Sequence, residues 1–196
     1  GDPEFWGRRS PVLFPIVGSV WEKKYRVDGR EYEMGQHGFA RDMDFQVTYK
    51  EDDGIVYWLE STPDTLGKYP FPFRLIIGYL LDGNKVTVKW RVENHGAMDM
   101  YFQIGAHPAF NCPIEEGKKY EDYFLEFEFP ENESTYLLSK EGLVQNKTKS
   151  LLENSRQLHL NDHIFDDDAL IFNHLKSRKV VLKSNGSPSQ IEVDYP

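Results

Sequence analysis

The sequence is poor in cysteine, in long apolar runs and in clustered positive charge, and each shortage excludes something. Cys112 is the only cysteine, so an intrachain disulfide framework is excluded. A lone thiol suits a reducing compartment, and a cytosolic location is the expectation. No apolar stretch approaches the ~20 residues that a membrane-crossing helix needs, so a soluble chain with no membrane partner is expected. Lysines and arginines are dispersed, with no basic run longer than two residues, and the net charge is −9. A nucleic-acid partner is therefore not expected, because phosphate neutralisation needs a basic face. There is no internal repeat and no linker. No methionine stands at the start, where Gly1-Asp2-Pro3-Glu4-Phe5-Trp6 is already patterned sequence. Ile191 to Pro196 reads as a strand at the other end, so the expectation is a piece cut at both ends.

What is present is a folding composition: 39% hydrophobic residues, with 14% aromatics, enough for one domain spanning residues 1–196. Alternation with period two recurs, the mark of half-buried antiparallel strands. Val86, Val88, Trp90 and Val92 alternate with Thr87, Lys89, Arg91 and Glu93. Phe45, Val47 and Tyr49 repeat the pattern, as do Leu125, Phe127 and Phe129, and Met100, Phe102 and Ile104. Asp28-Gly29, Asp53-Gly54 and Asp82-Gly83-Asn84 separate such runs and tolerate the positive φ of tight hairpins. No long amphipathic helix is found. Residues 162–168 suggest one short turn, and 131–149 reads as mostly connecting sequence. Pro70, Pro72, Pro108, Pro113 and Pro130 are expected to punctuate strands, not to enter them. The fold expected is all-β, a large antiparallel β-sandwich.

Four segments could carry chemistry. In Gly105-Ala106-His107-Pro108-Ala109-Phe110-Asn111 a strand ends in two small residues. Pro108 then stiffens the backbone of a histidine able to exchange protons near neutrality. A core histidine satisfied by a carbonyl is the plainer reading. In Gln36-His37-Gly38-Phe39-Ala40-Arg41-Asp42, a histidine and an arginine could hold hydroxyls or an anion. The competing reading is a surface pair of Arg41 with Asp42 or Asp44, contributing at most ~1 kcal/mol. Between Trp6 and Gly18, Pro11 and Pro15 bracket a short apolar strand, with Arg8 and Arg9 just before it. Three carboxylates, Asp166, Asp167 and Asp168, precede Ala169-Leu170-Ile171-Phe172. They could bind a cation or sugar hydroxyls, or simply form a solvated turn. Asp162-His163 is a nearby rival. No close His-x-His or His-x-x-Glu pair supports a metal enzyme.

Taken in order, these segments resemble the aldose 1-epimerase (galactose mutarotase) family, in particular its bacterial LacX-like branch. The resemblance rests on Arg8-x-x-Pro11-Val12-Leu13-Phe14-Pro15-Ile16-Val17-Gly18, His37-Gly38-Phe39-Ala40-Arg41-Asp42 and Tyr69-Pro70-Phe71-Pro72-Phe73. It rests equally on the His107 motif and on Asp168-Ala169-Leu170-Ile171-Phe172. It implies a supersandwich whose concave face binds a monosaccharide, a hexose or a hexose phosphate. The activity implied is interconversion of α and β anomers by acid–base ring opening and closure, without metal or organic cofactor. On this resemblance His107 is the acid at the ring oxygen, and His37 and Arg41 orient the sugar. Arg8 matches an arginine at the rim, with Arg9 as adjacent rival, and Asp168 holds hydroxyls. The family's general base is a glutamate on a later strand, and no segment after Asp168 matches it. The base is expected to lie outside this chain. A carbohydrate-binding module or sugar sensor without turnover is the alternative.

Overall fold

Alternating burial appears along residues Lys24–Val27, which lead into the Asp28-Gly29 turn, whereas Gln46–Glu51, where alternation predicts a half-buried strand, is exposed at every position. The computed structural model describes Glu4 and residues 6–196, which fall into two compact units, Gly1–Ala109 and Phe110–Pro196. The described residues form twelve strands, β1 (Val12–Leu13) through β12 (Gln190–Asp194), and one short helix, α1 (Pro63–Lys68). Every pairing between these strands is antiparallel.

In the first unit, β4 (Gln46–Glu51), β5 (Gly54–Glu60), β6 (Phe73–Asp82) and β7 (Lys85–Asn94) form one meander in chain order. On β6, Phe73, Leu75 and Ile77 point into the core while the residues between them stay half-exposed. The hairpin of β2 (Lys24–Val27) and β3 (Arg30–Glu33) turns on Asp28 and Gly29. Both have positive φ, as a tight right-twisted turn requires. Helix α1 was not foreseen. Thr62 caps it, its hydroxyl accepting from the Thr65 amide, while the Thr65 hydroxyl accepts from the Thr62 amide. The core of this unit is aromatic. Phe14 and Phe73 are fully buried with ring centroids 5.0 Å apart, and Tyr69 and Phe39 pack on both. Fully burying a side chain of that size stabilises by about 1.5–3 kcal/mol.

A further expectation changes in this unit. Residues 100–104 alternate as a strand would, but only β8 (Gly105–Ala106) is a strand there, paired with β1. The backbone of 100–104 is held singly instead. The Gln103 amide donates to the Pro15 carbonyl, and the Tyr69 hydroxyl donates to the Tyr101 carbonyl. Met100 and Ile104 still pack on the core, so the alternation marks burial without a ladder.

The second unit is one sheet in the order β10-β9-β11-β12, with β9 Tyr123–Leu138, β10 Val144–His159 and β11 Lys179–Ser184. Residues 131–149, expected as connecting sequence, largely belong to β9 and β10. The alternation is hidden because β9 buries polar residues there. Glu131 and Thr135 face inward, Glu131 accepting from the Ser177 amide and hydroxyl and from the Lys176 amide. Thr135 Oγ1 accepts from the Ile171 amide. Pro130 also enters β9, against expectation. It sits where the β9–β10 register breaks, between the pairs Ser155–Glu131 and Gln157–Glu126, so no ladder bond is lost. Residues 162–167 form turns as expected, while 169–172 form no strand. No described helix is long and apolar enough to cross a membrane.

Candidate functional site

Segment 11–18 positions nearly every candidate side chain of the first unit. Its β1 pairs Val12 with Ala106 and Leu13 with Gly105, and the Pro11 carbonyl accepts from the His107 amide at 3.2 Å. Further along, the Phe14 carbonyl accepts from the amides of Phe39 and Ala40. This brings the 37–42 turn onto the strand so closely that Gly38 is obligatory. Its φ is +71°, and a Cβ there would lie 2.1 Å from the Phe14 oxygen. The Gly18 carbonyl then accepts from the His37 amide at 2.7 Å, with His37 itself at φ +62°.

The imidazole of His37 is fixed by the same segment. The Gly18 amide donates to His37 Nδ1 at 3.0 Å. A nitrogen that accepts carries no proton, so a neutral His37 must carry its hydrogen on Nε2. Burial, then Arg41, His107 and Arg8, push its pKa below the ordinary histidine value. His37 is therefore a neutral hydrogen-bond donor through Nε2. His107 stands beside it, the two rings edge to face at 6.4 Å and 80°. The His107 ring is exposed, makes no hydrogen bond among the described residues, and stacks on Trp6 at 4.9 Å.

The arginines share a partner. Arg8 Nη1 donates to Asp42 Oδ1 at 2.7 Å, while Arg41 Nε lies 3.7 Å from Asp42 Oδ2. Arg41 Nη2 donates to the Gln36 carbonyl at 2.8 Å, and its buried Nε has no hydrogen-bond partner among the described residues. Two guanidiniums against one carboxylate leave the surroundings of His37 cationic. Arg9 is exposed and joins no ion pair among the described residues, which separates it from Arg8.

Asp168 belongs to the second unit. It is exposed, at φ +80°, and its Oδ1 accepts from the Ala169 amide. Its neighbours are committed elsewhere, Asp166 to His163 and Asp167 to Lys149. Asp168 alone of the three has no cationic side-chain partner among the described residues. A hollow of about 450 Å³ in the first unit is lined by Tyr25, Tyr69, Phe71, Tyr101, Phe102 and Gln103, among others, but by neither histidine. Sequence reading missed the Gly18–His37 bond and the Trp6 stack. A backbone donor leaves no mark in residue identity, and Trp6 stands about a hundred positions from its partner.

In the first unit of this all-β, antiparallel chain, two histidines and two arginines are gathered beside one short strand. The aldose 1-epimerase family profile matches residues 2–194, and the chain belongs to that family. It is 36% identical to the chromosomal LacX protein of Lactococcus lactis subsp. lactis, over 99% of this chain and 68% of that protein. Among solved structures it resembles a galactose mutarotase related enzyme from Lactobacillus acidophilus, at 33% identity and a TM-score of 0.89. That match covers 97% of this chain and 64% of the other. A galactose mutarotase-like protein from Lactobacillus casei matches with the same TM-score at 30% identity, over 99% of this chain and 67% of the other. The chain thus spans about two thirds of the length of these relatives.

Proposed function

We propose that the protein is an aldose 1-epimerase acting on a free hexose or a hexose phosphate, with its two units working as one domain. The observation that carries this reading is the paired imidazoles, His107 with neither ring nitrogen hydrogen-bonded among the described residues and His37 locked as an Nε2–H donor. His107 gives its proton to the ring oxygen as the C1–O5 bond breaks, while a base takes the O1 proton. The open aldehyde turns about C1–C2; on closure the O5 hydroxyl attacks C1, its proton returning to His107 while the base gives its proton back to O1. His37 donates to a sugar oxygen and cannot serve as the base, since its accepting nitrogen is occupied by Gly18. Arg8 and Arg41 hold further hydroxyls, and the cationic surroundings of His37 suit a phosphate. Neither histidine ring hydrogen-bonds a carboxylate among the described residues. We propose that the base is a carboxylate outside these 196 residues. No cofactor takes part, and the site of action is the cytosol.

Anomeric exchange by NMR saturation transfer tests this, with glucose, galactose and their 6-phosphates. The 196-residue chain is run beside the same chain extended at its C-terminus to the length of its relatives. Acceleration by the extended chain alone is the expected result, and His107→Asn lowers kcat about 10²-fold or more with affinity spared. Acceleration by the shorter chain would place a base within it. Binding without exchange in either form would make the protein a sugar sensor.

A further inference from the structure

The backbone of His107 is held on both sides, by the Pro11 carbonyl before it and by Pro108 after it. Neither contact fixes the ring. The imidazole is exposed, and no hydrogen bond among the described residues reaches either nitrogen. Rotation about the last side-chain torsion of histidine is broad, so a proton donor in this position needs something else to define its plane. Two rings touch it. The edge-to-face contact with His37 fixes one side. The other is the indole of Trp6, with centroids 4.9 Å apart and planes inclined by 31°. The pair is tilted, between a parallel stack and an edge-on contact, and is near enough for the indole face to limit rotation of the imidazole.

Trp6 is itself tethered. Two residues on, Arg8 donates to Asp42 at 2.7 Å, tying the 6–8 segment to the turn that carries His37. Trp6 is half-buried although the glycine beside it is exposed. It makes no other ring contact among the described residues.

From this we infer that Trp6 is a positioning residue for His107, its indole face setting the plane in which the imidazole delivers its proton to the sugar ring oxygen. The inference rests on the enzymatic reading above and adds a residue to it. A plane fixed by an aromatic face before substrate arrives removes a rotational search from the proton-transfer step.

The test pairs Trp6→Leu with Trp6→Phe, and reads structure and rate separately. The ring-proton resonances of His107 are assigned by their loss in His107→Asn. In the 196-residue chain they lie upfield, shifted by the indole ring current. Trp6→Leu returns them to the position of an unstacked imidazole, while Trp6→Phe keeps part of the shift. In whichever chain length turns over, Trp6→Leu lowers kcat about tenfold or more with KM within about twofold. Trp6→Phe restores the rate to within about threefold of wild type, because any aromatic face supplies the plane. A Trp6→Leu variant with unchanged kcat would overturn the role, as would a Trp6→Phe variant as slow as Trp6→Leu. An upfield shift in wild type without anomeric exchange at either chain length would overturn the enzymatic reading, and the role of Trp6 with it. Exchange without the shift would overturn the stack alone.

Discussion

His37 combines a strained backbone, a lowered pKa and a fixed tautomer, and each has a measurable outcome. Because the folded pKa lies below the ordinary histidine value, the folded state resists the proton that the unfolded chain accepts. Stability is then complete above about pH 6.5, the unfolded value, and falls as pH drops from there toward the depressed folded one. Urea unfolding followed across this window should show a steeper acid loss for wild type than for His37→Gln, which accepts a hydrogen bond but does not titrate. The neighbouring glycine is constrained more severely. A Gly38→Ala chain must move either the Phe14 carbonyl or the whole 37–42 turn. A loss of about 2 kcal/mol or more in the urea midpoint is expected, together with loss of the His37–His107 contact. The identity of Gly38 was legible in the sequence as part of a motif. Its reason was not, since the oxygen it must avoid belongs to a residue far away in the chain.

At the level of strands, what could be read depended on which residues face inward. Residues 86–92 announce themselves because Val and Trp alternate with polar and charged partners, and β7 occupies them. The distal halves of β9 and β10 were not legible, because inward positions there hold Glu131 and Thr135 in place of apolar groups. Glu131 shows what such a substitution demands. Burial raises its pKa, but bonds from the Ser177 hydroxyl and amide and from the Lys176 amide outweigh that, and the net shift is downward. Its contribution is present above the ordinary carboxylate value and lost as pH falls through the lower folded one. Glu131→Gln presents an NH₂ group to donors that need an acceptor, at a cost of about 1–3 kcal/mol. The thermal midpoint should fall accordingly, with residues 172–178 gaining amide exchange first. Residues 100–104 mislead in the opposite sense, alternating like a strand while their backbone bonds go to Pro15 and Tyr69.

Across the whole molecule, the antiparallel all-β class and the family were both legible, the first from hairpin signals and alternation, the second from five segments in order. The gathering of Arg8, His37, Arg41 and His107 was not available from spacing, since these residues come from three stretches separated by up to about a hundred positions. One strand assembles them. Segment 11–18 receives the His107 amide at Pro11, the Phe39 and Ala40 amides at Phe14, the Gln103 amide at Pro15 and the His37 amide at Gly18. It therefore works as a ruler, with each graduation read by a different part of the site. Loss or gain of a single residue between Pro11 and Gly18 would change the distance between the two histidines' anchor points and could not be absorbed locally. The hairpin ends at 28–29 and 82–84 carry no such obligation, since the residues they join pair only with each other there. Length variation is accordingly expected at the hairpin tips, while the eight residues of the ruler should keep their count even where their identities drift, and inserting one residue between Pro11 and Gly18 should abolish the His37–His107 contact.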